Sequence, residues 1–135
     1  MISWAHDIED MHEYYGHKEA VQALPADKLK AFLLFRANFI KEEYEEMWES
    51  IETRNPEEFV DALIDMCVVA IGTLDLLNVD AQEAWTRVFE ANMAKTSGVN
   101  PNRPNEFGLP DLIKPEGWTA PSHKGNHGRL PEALL

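Results

Sequence analysis

Apolar residues in positions 1–96 recur in four stretches with the period of an α-helix, and no stretch alternates as a strand would. The first predicted helix runs from about Trp4 to Tyr15, with Ser3 as N-cap, an inward stripe of Trp4, Ile8, Met11 and Tyr15, and Gly16 suited to the C′ position. A loop containing Pro25 follows. The second helix is long, about Lys28 to Thr53, with a stripe of Leu29, Phe32, Phe39 and Ile40. Asn55-Pro56-Glu57-Glu58 opens the third, with Asn as cap, Pro in the first turn and acids against the helix dipole; it continues to about Leu77. Asp80 and Glu83 form a capping-box pattern that opens the fourth, which runs to about Thr96 with Trp85, Val88, Phe89 and Asn92 facing inward.

Beyond residue 96 the pattern changes. Residues 97–135 hold six of the eight prolines and five of the seven glycines, and show neither period. Charge divides at the same place: residues 1–96 carry the whole formal net charge of -12, and the extension is neutral. The reading is an all-α body over 1–96 and an irregular extension over 97–135, docked on the body or on a partner subunit through Phe107, Leu109, Leu112, Ile113 and Trp118.

Composition removes several classes. An excess of 24 acidic over 12 basic side chains disfavours nucleic acid, whose phosphates need cations. The single cysteine, Cys67, permits no internal disulfide, and the start Met1-Ile2-Ser3-Trp4-Ala5-His6-Asp7 lacks a secretion pattern, so a cytoplasmic protein is expected. The most apolar stretch, Phe59 to Val79, contains Asp61, Asp65 and Asp75, which argues against membrane insertion.

Chemistry concentrates on the second and third helices. Glu42-Glu43-Tyr44-Glu45-Glu46 reads first as a solvated charge run, but Glu43 and Glu46 continue the phase of Phe32 and Phe39 and so lie on the inward stripe. Asp61 and Asp65 stand one turn apart on a third helix that is apolar on nearly every side. Inward carboxylates lose solvation and repel one another, which leaves three remedies: raised pKa values, basic partners or a divalent cation. Arg36 alone shares the stripe with Glu43, and pairing between them is the simplest expectation for it. All-oxygen ligation suits Mg²⁺, with Mn²⁺ as substitute. A di-iron site of the ferritin type is excluded, because His6, His12, His17, His123 and His127 all lie off the second, third and fourth helices.

With these residues in view the chain resembles the all-α, MazG-like nucleoside triphosphate pyrophosphohydrolases, in the short single-domain form often encoded by phages. Glu42-Glu43-Tyr44-Glu45-Glu46 matches the E-E-x-x-E helix of that superfamily, and Asp61-Ala62-Leu63-Ile64-Asp65 its second acidic motif. Val69-Ala70-Ile71-Gly72, Asn78-Val79-Asp80 and Asn92-Met93-Ala94-Lys95 extend the likeness over roughly residues 8–96. One departure stands out: the usual spacing would put an acid at position 62, which is Ala62, and Asp61 is the nearest.

The resemblance implies a four-helix MazG-like bundle that hydrolyses a (deoxy)nucleoside triphosphate to the monophosphate and pyrophosphate. Glu43, Glu46, Asp61 and Asp65 are the implied ligands of Mg²⁺ (or Mn²⁺), Glu42 and Glu43 the catalytic acids with Glu42 as general base, and Asn92 and Lys95 the substrate contacts. It implies a homotetramer or a dimer, and a cytoplasmic setting in a bacterium or a phage-infected cell. Analogy alone suggests a purine such as dGTP. Two alternatives stand beside it: a metal-dependent phosphohydrolase of another nucleotide, such as a phosphoribosyl-nucleotide or an alarmone, and a non-catalytic acidic helical interaction module.

Overall fold

The computed structural model describes residues 3–103 and 105–135; Met1 and Ile2 of the N-terminal stretch read above, and Pro104, lie outside it. The chain forms α1 (Trp4–Tyr14), α2 (His17–Gln22), α3 (Ala26–Glu52), α4 (Pro56–Leu76), α5 (Ala81–Met93), β1 (Thr96–Gly98), β2 (Asp111–Ile113) and α6 (Leu130–Ala133). It is mostly helical, as the periodicity predicts. No helix among the described residues is long and apolar enough to cross a membrane.

Two compact units are present: one holds the chain up to Gln82 together with Asn126–Leu135, the other Glu83–Gly125. In the first, α3 and α4 pack along each other, joined by Thr53, Arg54 and Asn55. Asn55 caps α4 by accepting from the Glu58 amide at 3.1 Å, and Pro56 needs no amide partner there. So short a turn makes the two helices antiparallel. Leu29, Leu77 and Ala133 are fully buried at the centre, with Leu24, Phe32, Leu33 and Leu130 around them.

The last residues of the chain are clipped to this unit by polar contacts. Arg129 donates to the carbonyls of Val21 (3.3 Å) and Leu24 (3.1 Å), which end α2, and its own amide donates to Leu77 O at 2.7 Å. Gly128 has φ +52°, and a Cβ there would stand 2.1 Å from Leu77 O. Only glycine fits this crossing.

Four expectations need correction. Ser3 does cap α1, accepting from the His6 amide at 3.2 Å, but the inward face is Ala5, Ile8 and His12. Trp4, Met11 and Tyr15 are exposed. The helix is turned one step because His12 Nδ1 meets Asp75 Oδ2 of α4 at 2.7 Å, a contact between polar residues that an apolar pattern cannot report. The loop expected before Pro25 contains α2, six residues long and too short to show a period. Its Lys18 reaches the same Asp75 through Oδ1 at 3.3 Å, and also bonds the Asp75 carbonyl.

On α5, Trp85, Val88 and Phe89 are exposed instead of inward. Within the second unit the covered face is that of Arg87 and Ala91. Arg87 donates to the carbonyls of Ser122 and Lys124, both at 3.1 Å, and Trp118 Nε1 donates to Ala91 O at 2.8 Å. The extension is not wholly irregular either: β1 and β2 pair antiparallel, with Thr96 opposite Ile113.

Candidate active site

The register of the α3–α4 hairpin builds the site. Arg36 and Thr73 lie about equally far from the connecting turn, and Arg36 Nε donates to Thr73 Oγ1 at 3.0 Å. In the same register Glu43 comes level with Asp65, and Glu46 with Asp61. Along α3 the covered positions run Leu29, Phe32, Arg36, Phe39, Glu43, Met47 and Ser50, so Glu43 continues the inward stripe as its phase predicts. On α4, Ala62, Asp65 and Gly72 face inward.

All four predicted carboxylates come together. Glu43 and Asp65 are half-buried, while Glu46 and Asp61 are exposed at the rim, each in contact with a deeper partner. Burial pushes Glu43 up to about 7, reinforced by a carboxyl-to-carboxyl contact with Glu46 and by the charges of Glu46, Asp65 and Asp61. Asp65 is also raised, first by burial, then by the charges of Asp61 and Glu46 and a side-chain hydrogen bond with Asp61. Glu43 Oε2 is sealed from solvent without a hydrogen-bond partner.

Arg36 does not relieve this crowding. Its guanidinium turns from Glu43 to Thr73 Oγ1 and to Val69 O (3.1 Å), and lies 5.7 Å from the Phe39 ring centre. A threonine hydroxyl and a carbonyl of α4, which also accepts from that hydroxyl, capture it, and burial holds its pKa below the usual guanidinium value. Of the three remedies, the basic partner is therefore spent elsewhere.

By donor chemistry, though not as the side chains stand, the set suits a hard divalent cation: four carboxylates, no sulfur or imidazole among them, and one buried oxygen with no donor. As the side chains stand they form two contacting pairs, Glu43–Glu46 and Asp61–Asp65. No group of three or more His, Cys, Asp or Glu among the described residues stands close enough together to hold a metal ion. Ala62, at the motif position where an acid was missing, is buried on the inward face, and Asp61 lies beside it at the rim.

A matching family model settles what kind of protein carries this arrangement: that of phosphoribosyl-ATP pyrophosphohydrolase aligns with residues 9–92, most of the chain. The chain belongs to the phosphoribosyl-ATP pyrophosphohydrolase family. It is thus a nucleotide pyrophosphohydrolase of the MazG-like all-α superfamily, as the two acidic motifs suggest. A comparison with curated proteins finds no significant match. The region aligned with this pyrophosphohydrolase family spans α3 and α4 entirely and ends at Asn92.

Glu42 is exposed, one position off the ligand stripe, and Glu45 is a surface acid. Asn92 and Lys95 belong to the second unit, both half-buried, with Lys95 Nζ 5.2 Å from the Trp118 ring centre. The His12–Asp75–Lys18 network went unread in the sequence; its one available signal was an aspartate within the most apolar helix, with no basic residue a turn away.

A pH dependence follows from Glu43 and Asp65. A carboxylic acid whose folded pKa is raised contributes stability that is present below its ordinary value, about 4.5 for Glu, and lost as pH rises through about 7. The metal-free protein in EDTA is expected to melt at a higher temperature at pH 5 than at pH 8, and the difference should shrink in Glu43→Gln. Mg²⁺ should raise the pH 8 melting temperature, with proton release near pH 7 seen by calorimetry in two buffers of different ionisation enthalpy. A variant with the wild-type pH difference would show that Glu43 does not carry it.

Proposed function

We propose that this pyrophosphohydrolase cleaves the anhydride between the α- and β-phosphates of a nucleoside triphosphate, releasing the monophosphate and pyrophosphate, in a reaction dependent on Mg²⁺ or Mn²⁺. One observation carries this reading: four carboxylates meet across α3 and α4 while the nearest guanidinium is engaged elsewhere.

Glu43, Glu46, Asp61 and Asp65 would hold the cations. When bound, the metal withdraws charge from phosphoryl oxygens and acidifies water. The chain's own residues do the rest. The paired carboxylates hold negative charge where it repels bare polyphosphate, so the reacting phosphate is brought up to them only with cations present. Glu42, adjoining Glu43 and open to solvent, takes the proton of the attacking water. The resemblance further implies Asn92, for the sugar or base, and Lys95, for a phosphate oxygen, as substrate contacts of the second unit.

The substrate follows from the anhydride. A purine deoxynucleotide such as dGTP is the first choice, by analogy with short phage-type relatives. A second reading, phosphoribosyl-ATP, is favoured by the family description and contains the same triphosphate linkage. A homotetramer, or a dimer, would cover Leu34, Phe35, Trp48, Val60 and Ile64, which α3 and α4 leave exposed. The cytoplasm is the proposed setting, and nucleic acid is not a proposed partner of so acidic a chain.

The deciding assay incubates the protein and Mg²⁺ with the eight common ribo- and deoxynucleoside triphosphates and with phosphoribosyl-ATP, and resolves the products. Monophosphate and pyrophosphate in equal amounts are expected from one substrate class. Stepwise release of phosphate, or no turnover of any, would overturn the reading; an acidic adaptor would give the second result.

A further inference from the structure

The second unit places two lysines against one indole. Lys95 follows α5 and immediately precedes Thr96, while Lys114 immediately follows Ile113; Thr96 and Ile113 are the last paired residues of the hairpin at that end. The two lysines are therefore the next cross-strand neighbours, where like charges oppose each other unfavourably. Each Nζ nevertheless lies 5.2 Å from the centre of the Trp118 ring, so they stand no farther apart than twice that distance.

The ring is fixed from two sides. A turn closed by the Trp118 amide to Pro115 O (3.0 Å), with Gly117 at φ +79°, returns the chain towards α5. There Trp118 Nε1 donates to Ala91 O at 2.8 Å. The two arginines of this unit bond carboxylates, Arg87 with Glu83 and Arg103 with Asp111. Lys95 and Lys114 make no ion pair among the described residues, in a protein with twice as many acids as bases; Asp111, whose pKa Arg103 mainly lowers, feels Lys95 only weakly.

The carbonyl end of α5 and the indole face account for one ammonium. A second, delivered by a strand register that opposes it to the first, adds a like-charge repulsion that a bound anion turns into attraction. We propose that Lys95, Lys114 and the Trp118 platform form a polyphosphate-binding site, with Lys114 as a second phosphate contact beside Lys95. That the anion is the phosphate tail of a nucleotide rests on the function proposed above; the affinity for polyphosphate does not.

The test uses the full chain at low salt in EDTA, where no hydrolysis occurs. Inorganic tripolyphosphate is titrated while the ¹⁵N-indole resonances of the four tryptophans are followed, Trp118 being assigned by its loss in Trp118→Phe. The Trp118 resonance is expected to shift saturably, with affinity about tenfold weaker in Lys114→Met, which keeps the methylene packing on the ring. Lys124→Met, an exposed lysine of the same unit that lies off the ring, should bind as the wild type does. A still Trp118 resonance, or a Lys114→Met titration matching the wild type, overturns the site. Turnover of a nucleotide with no such response would leave the proposed reaction intact and remove this site. Lys114-dependent binding by a protein that turns over no nucleotide would do the reverse.

Discussion

Replacing Glu43 by Gln is expected to lower Mg²⁺-dependent pyrophosphate release about a thousandfold or more, beyond the roughly 10–100-fold lost when groups merely supporting a ligand are changed. The same substitution should raise the melting temperature of the metal-free protein at pH 8. Glu43 is pushed up to about 7 by burial and by Glu46, Asp65 and Asp61, so its ionised form opposes folding there, and a neutral amide of the same shape removes the repulsion. Opposite signs in the two readouts mark a site where electrostatic strain is held for binding. Asp65→Asn should behave alike, because it is raised for the same reasons. Activity kinetics with and without Mg²⁺, and thermal melts in EDTA, check both halves. A Glu43→Gln protein that hydrolyses normally would remove the carboxylate site from the reaction, and one that melts lower without metal would show that these acids support the fold.

The second large effect concerns Asp75. Its carboxylate accepts from His12 Nδ1 at 2.7 Å and from Lys18 Nζ at 3.3 Å, joining α1 and α2 to α4 at a point where His12 and Asp75 are both buried. Asp75→Ala leaves the imidazole N–H without its acceptor and the Lys18 ammonium with the backbone carbonyl alone, and breaking such a buried pair costs roughly 3–5 kcal/mol. For a chain of this size that lowers the melting temperature by about 10 °C or more. The neighbourhood has little room to adapt: a Cβ on Gly72 would already meet Arg36 Nη2 at 2.7 Å and His12 Cε1 at 3.1 Å. Chemical denaturation of Asp75→Ala, His12→Ala and the double variant isolates the pair, with a coupling of about 1–3 kcal/mol expected. Additive effects would mean that Asp75 acts through Lys18 or α4 alone.

The helices that carry the site were legible because each is long, strongly periodic and punctuated by Asn55-Pro56 and the like; α3 and α4 begin and end within two residues of their predicted limits. The inward phase of Glu43 was legible for the same reason, since a period of 3.6 residues carries Phe32 and Phe39 onto it. Sequence alone thus determined the all-α body, the two acidic helices and the imbalance of charge. The partner of each polar group was beyond its reach. Arg36 shares a stripe with Glu43 and still bonds a hydroxyl and a carbonyl across the hairpin, those of Thr73 and Val69. His12 turned α1 away from its aromatic stripe, and Lys114 met Lys95, nineteen positions away, through the register of β1 and β2. Periodicity reports which side of an element seeks cover, a property of one segment; which side chain answers it depends on distances between segments, and only the folded chain decides those.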